Sequence, residues 1–240
     1  MTTETTTDGK IVGTERTRPV LPNDAEPGRD CALCPRLVEF REFHRVKNPD
    51  FHNAPVASWL PDVKAGGAEA VKLLVVGLAP GLKGANRTGR PFTGDWAGDL
   101  LYETLVKFGF AQGRYAADPN DTLRLTDCAI TNAVRCVPPQ NKPVGAEINT
   151  CRPFLIETLG ALPNLSAMVT LGKISHDSTA RSLGVRVASV PFAHNQAHTM
   201  QDYTVLSSYH CSRYNTNTGR LTQQMFHDVF AQARELVDAS

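Results

Sequence analysis

The chain has 240 residues, with 25 basic and 24 acidic side chains, a net charge of +1 and 41% apolar residues. That is apolar material enough for one large packed domain or two small ones, and the charge balance excludes a globally basic nucleic-acid binder, so any basic face must be local. No run of 18 apolar residues exists, and the Thr-rich, acidic first residues lack the regions of a signal peptide, so a transmembrane helix is excluded and a cytoplasmic location is expected.

Residues 1–29 are polar, with Pro19, Pro22 and Pro27, and are expected to form a flexible tail ahead of a single domain over residues 30–240. Cys31 and Cys34 open a segment whose Leu37, Val38, Phe40 and Phe43 suit a short helix. Residues 48–67 form a long connection with three prolines, anchored by Trp59. The apolar run 71–76 reads as a buried strand, and residues 96–110 as an amphipathic helix with Leu100, Leu101, Leu105 and Phe108 on one face and Gly109 as its cap. Residues 123–134 read as a second strand entering a proline-rich loop, 132–145. A helix over 146–162, a buried strand at 167–171 and a short helix at 173–183 follow. Further strands are expected at 185–190 and 205–209, before a last helix over 221–238. Strands alternating with helices, without internal repeats, predict one α/β/α sandwich with a largely parallel sheet.

The loop between the first strand and the helix at 96–110 carries the densest chemistry. Gly77, Gly81, Gly84, Gly89 and Gly94 let backbone amides approach a ligand closely, and residues 78–94 hold Lys83, Arg87 and Arg90 but no acid. Neither GxxxxGK[ST] nor GxGxxG is present, so no nucleotide cofactor is expected. Phe92 in this polar, basic setting suits stacking on a base as well as packing in a core. Two other acid-free windows, 129–146 with Arg135 and Lys142 and 203–227 with Arg213 and Arg220, could converge with the loop into one groove.

Six cysteines in a cytoplasmic chain point to metal ligands or single buried residues rather than disulfides. Cys31 and Cys34 form C-x2-C, and Cys136 and Cys151 form C-x14-C across a loop that its prolines fold back. Four thiolates fit a zinc site or an iron–sulfur cluster, and a thioredoxin-like pair is disfavoured because C-x2-C precedes every strand. Cys128 lies inside an apolar strand and reads as core.

Three segments, GLAPGLKGANRTGRPFTGDWAG, TNAVRCVPPQNKP and SYHCSRYNTNTGRLT, together with the four cysteines, resemble the uracil-DNA glycosylase superfamily, and within it the iron–sulfur branch, most closely family 5 (type b). The resemblance runs from Cys31 to the final helix. It implies a three-layer α/β/α sandwich around a largely parallel four-stranded sheet, a [4Fe–4S] cluster on Cys31, Cys34, Cys136 and Cys151, and a monomer acting on DNA that contains deaminated bases. It implies action where the DNA lies, in a bacterial or archaeal nucleoid.

The same resemblance implies roles for single residues. Gly77, Ala79, Gly81, Phe92 and Asn132 would bind the substrate base, Phe92 by stacking and Asn132 through an amide offering donor and acceptor together. His210 would donate to the leaving base, and Asp95 would position water, or else cap the following helix. Arg87, Ser212, Arg213, Tyr214 and Asn215 would contact DNA, the last three from a loop entering the minor groove. Two departures stand out. Leu78 and Ala79 are apolar where many branches carry a polar, water-positioning residue, and Cys211 stands where the motif commonly has proline. The implied activity is hydrolysis of uracil, hypoxanthine and xanthine from DNA; the rivals are an inactive nucleic-acid-binding module and a thiol redox protein.

Overall fold

The computed structural model describes Leu21 and residues 24–240. In chain order its elements are α1 (Pro35–Lys47), β1 (Leu73–Gly77), α2 (Ala85–Thr88), α3 (Trp96–Lys107), a short ribbon of β2 (Ala111–Gln112) and β3 (Arg124–Leu125), β4 (Cys128–Asn132), α4 (Gly145–Gly160), β5 (Ala167–Leu171), α5 (Lys173–Ser182), β6 (Gln196–Met200), β7 (Tyr203–Ser208), α6 (Arg213–Asn217) and α7 (Gln223–Asp238). The main sheet has the order β4-β1-β5-β7-β6. Its first four strands are parallel, as expected, and β6 adds a fifth, antiparallel, at the edge.

Side chains alternate across a strand, so each parallel strand feeds two cores. Leu73 and Val75 of β1 face one side with Ile130, Val169 and Leu206, against Leu101 and Leu105 of α3 and Phe226 and Phe230 of α7. Leu74 and Val76 face the other side with Ala129, Met168 and Val205, against Leu155 and Leu159 of α4 and Ala180 of α5. Strands buried on both faces read as near-continuous apolar runs, which is why β1, β4 and β5 are visible in the sequence. The result is the three-layer sandwich.

The expected strand at 185–190 is not one: Val187–Ser189 is a single turn of 3-10 helix. The edge strand is β6, whose Gln196, Ala197 and Thr199 are exposed, so no apolar run announces it. The expected strand at 123–134 is two, β3 and β4, separated where Asp127 adopts a positive φ of 53°. Leu21 and Ala25 are buried in the second core, and Glu26 accepts a hydrogen bond from the Ser58 amide at 2.9 Å. That end of the expected tail packs on the domain; residues 1–20, 22 and 23 lie outside the described residues. No helix among the described residues is long and apolar enough to cross a membrane.

Candidate active site

Ligand sites of α/β sheets lie beyond the carboxyl ends of the parallel strands. Here β1 and β4 end side by side, with Gly77 paired to Asn132, and the ladder continues past them: the Ala133 and Val134 amides donate to the carbonyls of Gly77 and Leu78, each at 2.9 Å. Beyond this edge opens a cleft of about 380 Å3, lined among others by Ala79, Gly81, Phe92, Asp95, Asn132 and His210. The size suits one small planar ligand.

Gly77 is tightly constrained. A Cβ there would overlap both Oδ1 of Asn132 and the ring of Phe92, so only glycine lets the amide and the ring converge. Asn132 is 2% exposed, and its Oδ1 is buried without a hydrogen-bond partner. A buried amide oxygen left unpaired costs about 1–3 kcal/mol unless a ligand satisfies it.

Phe92 is buried and adopts a positive φ of 50°, a sparsely populated region for an aromatic residue. Its neighbours hold that turn from outside. The Tyr102 hydroxyl donates to the Pro91 carbonyl, and the Tyr115 hydroxyl accepts from the Gly94 amide at 3.2 Å and donates to the Phe92 carbonyl at 3.4 Å. Beneath them Arg90, 2% exposed, makes two 2.8 Å bonds to Asp121 and lies over the rings of Trp59, Tyr102 and Tyr115. Arg90 therefore braces the loop and is not a free cation for phosphate. Sequence reading missed this buttress because its partners come from three separate segments.

His210 follows β7 and stacks on Phe92, with ring centroids 6.0 Å apart and planes 29° from parallel. Its Nδ1 is buried and unpartnered. Burial pushes its pKa down to about 4, so the ring is neutral at neutral pH. Asp95 stands at the N-cap position of α3, yet its side chain makes no capping hydrogen bond. Its Oδ1 is buried and unpaired, and its Oδ2 sits close over Gly81 and Gly84. Burial raises the Asp95 pKa, offset only in part by the nearby Gly98 and Ala97 amides. No capping bond of ordinary geometry forms, yet the Ala97 and Gly98 amides lie close enough to lower the carboxyl pKa, and Asp95 also lines the cleft.

Around the mouth the expected DNA contacts divide in two. Arg87 is exposed, its Nε donating to the Lys83 carbonyl at 2.9 Å, and Tyr214 is 73% exposed. Arg213 lies with its guanidinium 5.4 Å from the ring centroid of Trp96. By contrast, the Ser212 hydroxyl accepts from the Asn215 amide at the start of α6, and the Asn215 side chain donates to the His210 carbonyl at 2.8 Å. Both hold the His210 loop in shape. Of the other basic-window residues, Arg135 is 1% exposed, bonded to Ser58, Thr131 and Thr158 and paired with Glu26 at 3.6 Å. It too is structural. Cys211 is fully buried in the main core, its Sγ 3.5 Å from the Ala97 carbonyl.

Cys31, Cys34, Cys136 and Cys151 line one common cavity between α1, the 134–136 segment and α4. Arg36 joins the two helices that frame it through two 2.7 Å bonds to Glu147. Burial, then the neighbouring Cys151, pushes the pKa of Cys34 up to about 11 and that of Cys136 to about 12. Among the described residues no three potential ligands gather closely enough for a single metal ion. The cysteine cavity and the cleft share a wall, since Ala79 packs against the cysteine cluster on one side and lines the cleft on the other.

A three-layer α/β/α domain with an amide, a stacked Phe–His pair and a carboxylate around a ring-sized cleft is an α/β protein built to hold a planar heterocycle. The profile of the Uracil DNA glycosylase superfamily matches residues 64–234. The Type-5 uracil-DNA glycosylase of Thermus thermophilus is 41% identical over 207 residues, which cover 86% of this chain and 93% of that protein. The Type-5 uracil-DNA glycosylase of Pyrobaculum aerophilum is 35% identical over 208 residues, 85% and 88% of the two chains. A Type-4 uracil-DNA glycosylase of Archaeoglobus fulgidus is 33% identical over a shorter 137 residues, 56% and 58%. The chain belongs to the uracil DNA glycosylase superfamily.

Proposed function

We propose that this protein is a monofunctional DNA glycosylase that hydrolyses the N-glycosidic bond of uracil in DNA, leaving an abasic site and starting base excision repair. Membership of the superfamily and the names of its Type-5 relatives support the reading. The observation that carries it is that Asn132, His210 and Asp95, each with a buried polar atom that lacks a hydrogen-bond partner, line the same cleft as Phe92.

The chemistry follows from the residue types. The glycosidic bond is out of reach inside a duplex, so the nucleotide must be extruded into the cleft. Phe92 supports the ring by stacking, and the Asn132 amide pairs with its Watson–Crick edge. As the bond to C1′ breaks, its electron pair goes to the base. A neutral His210 donates to the developing anion without the cost of carrying a positive charge in a buried site. Asp95 holds the water whose oxygen adds to the oxocarbenium-like C1′, and the released proton passes to the carboxylate and then to solvent. Among the described residues no lysine lines the cleft, which supports hydrolysis without a Schiff base or strand cleavage.

We also propose that Cys31, Cys34, Cys136 and Cys151 hold a [4Fe–4S] cluster. Four thiols around one cavity are a donor set that suits a metal centre, and the sequence resemblance to the iron–sulfur branch supports a [4Fe–4S] cluster over zinc. When bound, the cluster supplies no step of the hydrolysis and ties α1, α4 and the strand edge that carries Asn132 into one unit. The apolar Leu78 and Ala79 make few polar demands on the base, which supports acceptance of hypoxanthine and xanthine beside uracil. The enzyme acts as a monomer on chromosomal DNA.

The test is incubation of the purified protein with duplexes holding a single uracil, hypoxanthine or xanthine, followed by alkali. Alkali-dependent cleavage at the uracil supports the reading. An intact strand despite tight DNA binding would instead make this a binding module, and cleavage without alkali would require a lyase step.

A further inference from the structure

Trp96 is the first residue of α3, directly after Asp95, and lines the mouth of the cleft. Its indole N–H donates to Thr216 Oγ1 at 3.0 Å, and the Arg213 guanidinium lies 5.4 Å from its ring centroid. Although tethered and stacked in this way, Trp96 remains 47% exposed. Burying its large apolar surface would be favourable, so a tryptophan that is held rigidly but left uncovered at a site mouth is a surface awaiting a partner. Tyr214, 73% exposed, stands on the same short helix as Arg213.

We propose that Trp96, with Arg213 over its ring, is a stacking platform for a nucleobase flanking the extruded nucleotide, a second nucleotide subsite outside the catalytic cleft. The proposal rests on the DNA glycosylase reading above. An aromatic face accepts any base, and the guanidinium beside it complements the phosphate that the same nucleotide carries. Extruding one base leaves its neighbours unstacked on one side, and an indole already fixed by Thr216 replaces that contact with little loss of side-chain freedom. The platform adds affinity without selecting sequence, because every base offers a π-face.

The experiment uses the full chain and the intrinsic fluorescence of its two tryptophans, Trp59 and Trp96. Titration with a uracil-containing oligonucleotide should quench the emission of the wild type, and the quench should vanish in Trp96→Phe. Trp96→Ala should weaken binding about tenfold and raise KM accordingly, and Trp96→Phe, which keeps a ring, should recover most of that loss. Thr216→Val separates a platform from a mere tether, since it removes the acceptor of the indole N–H and leaves the ring. If Thr216→Val is as damaging as Trp96→Ala, or Trp96→Phe as damaging as Trp96→Ala, the platform is wrong. DNA binding and uracil release with unaltered Trp96 emission would overturn it too, while leaving the glycosylase reading intact. Absence of uracil release by the wild type would instead overturn that reading.

Discussion

The Asp95 carboxylate lies directly over Gly84: a Cβ on Gly84 would overlap its Oδ2, and one on Gly81 would stand 2.8 Å from the same oxygen. Two glycines thus form the floor on which the carboxylate rests, with its Oδ1 buried and unpaired. Gly84→Ala should displace Asp95 and slow single-turnover release of uracil by about 10- to 100-fold, the usual cost of misplacing a reacting group by an ångström. In an Asp95→Asn background the same change should add little, because the two act through one oxygen. Full additivity in this double-mutant cycle would show that Gly84 acts elsewhere.

His210 and Asn132 both line the cleft beside Phe92, and the proposed mechanism gives them different purposes. His210→Ala removes stabilisation of the leaving anion and should slow release of uracil and hypoxanthine alike, by about 100- to 1,000-fold. Asn132→Ala removes an edge-reading amide that matches uracil, so uracil should suffer more than hypoxanthine. Single-turnover rates of both variants on both bases check the division; equal losses in Asn132→Ala would contradict it.

His210 is only half-buried at the cleft, yet its desolvation also links stability to pH. Its folded pKa, about 4, lies below the ordinary 6.5, so the unfolded chain takes up the proton first. The contribution is full above pH 6.5 and is lost as pH falls from 6.5 toward 4. Relative to His210→Gln, the wild type should lose unfolding free energy across that window, by well under about 3 kcal/mol because the half-buried ring keeps some solvent. Denaturant unfolding of both proteins at matched pH values measures the difference, and parallel curves would refute the burial of the neutral ring.

Cys136 follows Asn132 by four residues, and the segment between them pairs with Gly77 and Leu78 at the cleft. Cys136→Ala should lose iron, solubility and activity together, as read by iron and acid-labile sulfide analysis beside the uracil assay. A soluble, iron-free variant with full activity would uncouple the cysteine cavity from the active site.

The buttress under Phe92 depends on a buried ion pair, with both Arg90 and Asp121 side chains only 3% exposed. Asp121→Ala strands a buried guanidinium and should cost about 3–5 kcal/mol. Thermal unfolding measures it; a loss below about 1 kcal/mol would place the pair among weakly contributing contacts.

The sequence by itself determined the parallel core and the chemical inventory. β1, β4 and β5 are buried on both faces, so their apolar runs show without any knowledge of neighbours. The glycine-rich loop, the two cysteine pairs and the short segments around Phe92, Asn132 and His210 are local, and short motifs survive in one dimension. Tertiary structure decided whatever depends on partners from distant segments. Arg90 and Arg135 read as basic groove residues, yet Asp121 and Glu26 draw them inside, because a cation's role is set by the nearest carboxylate in space. β6 is polar and exposed, and only β7 beside it makes it a strand. Asp95 reads in sequence as a catalyst only slightly ahead of a cap; the position of its Oδ2 over Gly81 and Gly84 is a matter of ångströms that no pattern of residue types encodes.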